Sequence, residues 1–216
     1  MTAGEQAREM TAAPAAEAVI GTPTGAPVAV MARGWLVLVV GPSGAGKDAL
    51  LMQARAACAD DGTVCFVRRG VTREASATED HASLSEAEFE KALAGGAFSF
   101  WWEAHGLKYG IPSSIEADLA AGLTVVCNVS RNIVADLRER YPQCCVVLIT
   151  APEDVRRARL AARERASDGD RAKRAKRAAP GVEELRPALV IDNTGTIEDG
   201  AGALLGFLRK PSSFGP

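Results

Sequence analysis

Seven consecutive residues, Gly41-Pro42-Ser43-Gly44-Ala45-Gly46-Lys47, carry the clearest chemistry in the chain. Glycines and a lysine at the G-x-x-x-x-G-K spacing suit the binding of a polyphosphate. The glycines let backbone N–H groups turn inward onto anionic oxygens. Lys47 adds a point charge able to reach the β- and γ-phosphates of a nucleoside triphosphate. The apolar run Trp35–Val40 before the loop reads as a strand, and the apolar-periodic segment from Ala49 reads as a helix. That helix would present its positive end to the same anion. Asp48 follows the lysine, where a Ser or Thr hydroxyl normally ligates Mg²⁺. A carboxylate is also a hard oxygen ligand for Mg²⁺. An acidic residue in a first helical turn is equally favoured by the helix dipole alone, and the two accounts are compatible.

Three arginines, Arg68, Arg69 and Arg73, fall in a stretch that reads as a loop after the second strand. In a parallel sheet, ligands sit beyond the carboxyl ends of the strands, so these arginines are candidates to hold a second anionic substrate. The guanidinium fork suits phosphate because it engages two oxygens at once. Further on, Arg156 to Arg177 holds ten basic residues against Glu164, Asp168 and Asp170. Such a run is a solvated helical face, a lid whose arginines close over a polyphosphate, or a nucleic-acid arm. The last option lacks the interleaved aromatics that single-strand binding uses. His81 contacts substrate or fills a turn; His105 is read as structural, and Trp101 and Trp102 as hairpin packing.

The elements that must position these residues alternate between strand and helix patterns. Strands are expected at Trp35–Val40, Thr63–Val67, Leu123–Val129, Cys144–Thr150 and Leu189–Asp192. The first helix runs to about Ala59 with Leu51, Ala54 and Cys58 on one face, and others are expected near Ser114–Ala121, Asn132–Arg140 and after Pro152. Ser85 with Glu88 forms a capping box that opens a further helix, stopped at Gly95-Gly96. Phe98–Glu103 and Leu107–Tyr109 flank a turn, as in a hairpin. The closing helix places Ile197, Ala201, Leu204, Leu205 and Leu208 on one stripe. Continuous apolar strands separated by helices predict an α/β three-layer sandwich with a mostly parallel sheet. The expected organisation is a disordered extension over 1–33, one α/β domain over 34–209, and a flexible tail over 210–216.

A net charge of -2 argues against nucleic acid or membrane as a bulk partner, so any basic function is local. No apolar run approaches the roughly 18 residues that span a bilayer. The five cysteines show no C-x-x-C spacing, and four lie in strand-like apolar runs, which reads as buried thiols in a reducing cytoplasm.

From Trp35 to Leu208 these residues resemble the guanylate kinase superfamily, which implies that 34–209 is a P-loop kinase domain with a small substrate-binding hairpin region and an arginine-rich lid. The resemblance rests on the 41–47 loop, Thr72-Arg73, Leu84-Ser85-x-x-Glu88-Phe89, the Trp101-to-Gly110 arrangement, and the lid-like Arg159-Leu160-x-x-Arg163 with Arg174. Guanylate kinases read guanine with a glutamate where this chain has Phe100, and the tyrosine that holds the GMP phosphate is replaced near His81. The chain is more similar to the ribose 1,5-bisphosphate phosphokinase family, through Lys47-Asp48, Thr72 to Ser76, His81, Asn128, Ser130-Arg131, and Asn193 with Gly195. That resemblance implies transfer of the ATP γ-phosphoryl group to the 1-phosphate of ribose 1,5-bisphosphate, with Mg²⁺. It implies ATP binding by Gly41, Pro42, Ser43, Gly44, Ala45, Gly46, Lys47, Asp48 and Asn193, with Asp48 on the metal. Lys47, Arg163 and Arg174 would be catalytic. Arg68, Arg69, Arg73, His81, Tyr109, Asn128 and Arg131 would hold the acceptor. The expected partner is a small sugar phosphate, not nucleic acid or membrane, and the expected state is monomer or homodimer. A guanylate-type nucleoside-monophosphate kinase is the alternative, followed by a non-catalytic interaction module.

Overall fold

Leu36, Leu38 and Val40 alternate with Val37 and Val39, and all five are fully buried. Only a strand covered on both faces has that pattern. The computed structural model describes residues 20–21, 33–74, 80–104, 106–162 and 181–211. In chain order it begins with β1 (Ile20–Gly21), β2 (Trp35–Val40), α1 (Lys47–Ala57), β3 (Val64–Phe66), β4 (Gly70–Val71) and β5 (Ala82–Ser83). Next come α2 (Glu86–Ala94), β6 (Phe98–Ala104), β7 (Leu107–Pro112), α3 (Ile115–Ala120), β8 (Thr124–Asn128), a 3₁₀ turn at Arg131–Ile133 and α4 (Val134–Arg140). The chain closes with β9 (Cys144–Thr150), α5 (Glu153–Ala162), α6 (Val182–Leu185), β10 (Leu189–Asp192) and α7 (Ile197–Leu208).

The central sheet has the order β10-β9-β2-β8-β3, and every pairing in it is parallel. Leu36, Leu38 and Val40 face one core with Ile115, Leu119, Val134 and Leu137 of α3 and α4, and with Phe100, Trp102 and Ile111 of the hairpin. Val37 and Val39 face a second core with Leu50 and Ala54 of α1 and Ala201, Leu204, Phe207 and Leu208 of α7. The result is the expected three-layer α/β arrangement. Of the α1 face read from the sequence, Ala54 and Cys58 are buried, whereas Leu51 is only partly covered and Leu50 takes its place in the core. Ile197 is exposed and Phe207 takes its place on the buried stripe of α7.

A second sheet, ordered β1-β6-β7-β4-β5, is built on the β6–β7 hairpin. Gly70 of β4 pairs with Gly110 of β7, and a Cβ on either would press into the Phe98 ring, at 3.0 and 2.5 Å respectively. The two glycines leave the space that this ring fills. Ser85 caps α2 as expected: its hydroxyl accepts from Glu88 N (3.2 Å) and its N–H donates to the Glu88 carboxylate (2.7 Å). The extension expected to be disordered contains one paired segment, β1, whose Ile20 and Gly21 lie opposite Trp102 and Trp101. Of the expected lid run, Arg156, Arg157 and Arg159 lie on α5, whereas Arg163, Arg174 and its remainder, as well as His105 and the tail from 212, lie outside the described residues.

Candidate active site

The loop of 41–46 joins the end of β2 to α1, and its shape is fixed from outside. Gly41, Gly44 and Gly46 all have positive φ, at 154°, 81° and 90°. A Cβ at Gly41 would sit 2.0 Å from the Ile149 carbonyl oxygen, and one at Gly44 2.7 Å from that of Arg156. A Cβ at Gly46 would sit 2.3 Å from Asn193 Nδ2. That amide is 4% exposed and donates to the Ala45 carbonyl at 2.8 Å. Arg159 of α5 donates from Nη2 to the Asn193 carbonyl at 2.9 Å, with Nη1 3.5 Å from Ala45 O. The loop is therefore packed between β9, β10 and α5. Lys47 Nζ donates to the carbonyls of Gly41 (2.8 Å) and Pro42 (3.2 Å), which holds its charge over the loop.

Asp48 opens α1 and accepts from Asn128 Nδ2 at 3.0 Å. The contact crosses from β2 to β8 because their register sets Val39 beside Asn128. Arg131 begins the 3₁₀ turn just beyond β8. Burial, and secondarily the neighbouring charge of Arg156, push its guanidinium below its ordinary pKa.

A cavity of about 260 Å³ opens beside the loop, with Asp48, Asn128, Arg69, Arg55 and Asp80 among its polar lining. Leu51, Met52, Phe66, Val67 and Val126 line the rest. The segment carrying Arg69 is strapped by backbone bonds on two sides. Ala82 N donates to Arg69 O (2.8 Å), and Thr72 N donates to Lys108 O (3.0 Å). Arg69 lies over the Tyr109 ring, 5.8 Å from its centroid, and Tyr109 stacks on Trp102 at 5.1 Å. His81 is 2% exposed, and its Nε2 donates to the Arg73 carbonyl at 3.1 Å, so this tautomer holds the Thr72–Arg73 turn.

Of the residues picked out in the sequence, Asp48, Arg69 and Asn128 share the cavity. Arg68 turns to the exposed rim, where it pairs with Asp80 at 2.9 Å. Arg55 and Asp80 were missed. Arg55 had a usable signal, since it lies seven residues after Asp48 and returns to the same helix face. Asp80 had none. Phe100 of the hairpin is fully buried against the sheet. Among the described residues no group of three or more His, Cys, Asp or Glu side chains is arranged to hold a metal. A Mg²⁺ site built from one carboxylate and substrate phosphates needs no such group. No described helix is long and apolar enough to cross a membrane.

A phosphate-binding loop at the end of the central strand of a parallel sheet defines a P-loop fold of the guanylate-kinase type. Guanylate kinase from Anaplasma phagocytophilum superposes with a TM-score of 0.58 at 21% identity, covering 83% of this chain and 87% of that one. No protein-family model matches the chain. Ribose 1,5-bisphosphate phosphokinase PhnN from Bradyrhizobium diazoefficiens is 47% identical over 179 residues, 83% of this chain and 90% of that protein. The enzyme of the same name from Rhodopseudomonas palustris is 48% identical over 176 residues, 82% and 89% of the two chains. The chain belongs to the ribose 1,5-bisphosphate phosphokinase family.

Proposed function

We propose that the chain phosphorylates the 1-phosphate of ribose 1,5-bisphosphate with the γ-phosphoryl group of ATP. The product is 5-phosphoribosyl 1-diphosphate, made in connection with phosphonate breakdown. Phosphate monoesters lose their second proton near pH 6, so the acceptor oxygen is already anionic at neutral pH and no general base is required. The protein's work is to bring two highly charged groups into line and to offset their repulsion. Lys47, the loop N–H groups and the positive end of α1 hold the donor phosphates. Arg69 and Arg131 hold the acceptor's charge, with the Tyr109 hydroxyl as a further donor. Asn128 occupies one oxygen of Asp48 and orients the carboxylate. The oriented Asp48 carboxylate beside the loop is a hard oxygen ligand that would hold Mg²⁺, and the bound ion would offset phosphate charge. The family resemblance gives Arg163 and Arg174 a catalytic role on this reading; both lie outside the described residues.

The observation that carries this reading against a guanylate-type kinase is Phe100. The hairpin offers a buried ring where a base-reading carboxylate would stand, and a site that has lost its polar partner loses discrimination for the base. Mass analysis of products after incubation with Mg-ATP and either ribose 1,5-bisphosphate or GMP tests the proposal. Formation of 5-phosphoribosyl 1-diphosphate is expected. Rapid conversion of GMP with no reaction of the sugar bisphosphate would reverse the assignment.

A further inference from the structure

Asp48 and Arg55 stand on one face of α1, two turns apart, and both line the same cavity. Seven residues of helix place their backbones about 10 Å apart along the axis. The Asp48 end is the transfer end, beside the loop and Lys47. Leu51, Met52 and Val126 supply apolar wall, and Arg69 and Asn128 line the same cavity. Arg55 thus offers a cation about two helical turns from the Lys47 loop.

We infer that Arg55 is a specificity-determining residue of the acceptor site, taking the 5-phosphate of a pentose whose 1-phosphate lies at the Asp48 end. The inference rests on the proposed sugar-bisphosphate reading. Arg55 is fixed for this role: one guanidinium nitrogen donates to the Phe66 carbonyl at 3.1 Å. Another pairs with Asp80, which also holds Arg68. All three charged side chains are about half exposed, so the pairing is a solvated rim contact worth little by itself. A phosphate dianion offers three strong acceptors to a planar fork and displaces a single carboxylate readily. Asp80 thus serves as a stand-in counter-ion. A nucleoside monophosphate, with its one phosphate at the Asp48 end, would set an uncharged base against this guanidinium and leave it without a second anion.

The test combines steady-state kinetics with a partial ligand. Ribose 5-phosphate carries only the distal phosphate and is used as a competitive inhibitor. Arg55→Ala is expected to raise both KM for ribose 1,5-bisphosphate and Ki for ribose 5-phosphate roughly 10- to 100-fold, the scale of losing a hydrogen bond to a charged group. KM for ATP should stay within about twofold, and Arg55→Lys should restore part of the loss. An unchanged KM and Ki in Arg55→Ala overturns the inference. So does an equal rise in KM for ATP. Failure of the unaltered enzyme to phosphorylate ribose 1,5-bisphosphate would instead reject the proposed function, before Arg55 is changed.

Discussion

Replacing Gly46 by alanine tests how the phosphate loop is held. The substitution strains the protein in two separable ways. At φ 90° an L-residue occupies the left-handed region, which costs about 1–2 kcal/mol. The new Cβ would also stand 2.3 Å from Asn193 Nδ2. Asn193 must then withdraw, and its hydrogen bond to the Ala45 carbonyl breaks in a buried place. Leaving such groups unsatisfied costs about 1–3 kcal/mol more. The variant should therefore lose roughly 2–5 kcal/mol of stability, and a domain of this size melts about 2–4 °C lower per kcal/mol. Asn193→Ala alone forfeits the hydrogen bond without the strain. In the double variant the clash has nothing to strike, so only the strain at position 46 adds to the loss at 193. The two changes should combine to roughly 1–3 kcal/mol less than the sum of their separate effects. Urea unfolding followed by tryptophan fluorescence gives all four corners of the cycle, and calorimetric titration with Mg-ATP reports the loop itself. Strict additivity, or a Gly46→Ala variant that melts and binds as the parent does, would refute the clamp.

Lys47→Ala should lower kcat by roughly 100-fold or more, the scale of removing one preorganised charge from a transferring group, while the melting temperature barely moves; an undiminished rate would point to a non-catalytic module. Asn128→Ala should raise the Mg²⁺ concentration for half-maximal activity about 10- to 100-fold, as loss of a group that orients a metal ligand does, and Asp48→Asn at least as much; superimposable Mg²⁺ titrations would remove Asp48 from the metal. Burial pushes the thiols of Cys127, Cys144 and Cys145 up to about 12. The unfolded chain releases those protons near pH 9, so between pH 9 and 12 it binds fewer protons than the native state. Stability must fall as pH rises through that window, by about 1.4 kcal/mol per thiol per pH unit. Urea midpoints that stay flat from about pH 8 to about pH 10.5 would contradict this, as would rapid modification of these cysteines in the folded protein.

The sheet and its loop were legible because burial on both faces leaves an unmistakable mark. The apolar runs Trp35–Val40 and Cys144–Thr150 appear in the structure with the bounds read from the sequence, and the capping box at Ser85 acts within four residues. Strands β4 and β5 left no such mark. Two residues each are too few for periodicity, and Gly70–Val71 is a strand only because β7 and β5 supply its partners. The same limit applies to the site. Arg69 could be nominated from its place after a strand, Asp48 from its place after the loop lysine and Asn128 through the family resemblance, whereas the bond from Asn193 to Ala45 spans 148 positions of sequence. No local pattern foretells it. Resemblance placed Asn193 near the nucleotide; the structure adds that its side chain shapes the loop.

That dependence on distant partners explains why strand register, more than any single side chain, sets this site. The pairing of Val39 with Asn128 brings the Asn128 amide level with the start of α1. The pairing of Val40 with Leu148 sets the Ile149 carbonyl against Gly41, where only a glycine fits. The pairing of Thr150 with Asp192, continued by the Asn193 N–H to the Thr150 carbonyl at 2.8 Å, delivers Asn193 beneath Ala45. A slip of one residue in any of these pairs would turn every side chain of the strand to the opposite face. A slipped β8 would set Cys127 or Val129 opposite Asp48, and neither side chain can donate a hydrogen bond of comparable strength. The two apolar cores on either side of β2 resist that slip, because it would exchange their contents. Core packing and phosphate chemistry are thus coupled through one sheet. Substitutions that loosen the β2–β8 pairing should change the Mg²⁺ requirement even where they touch no substrate.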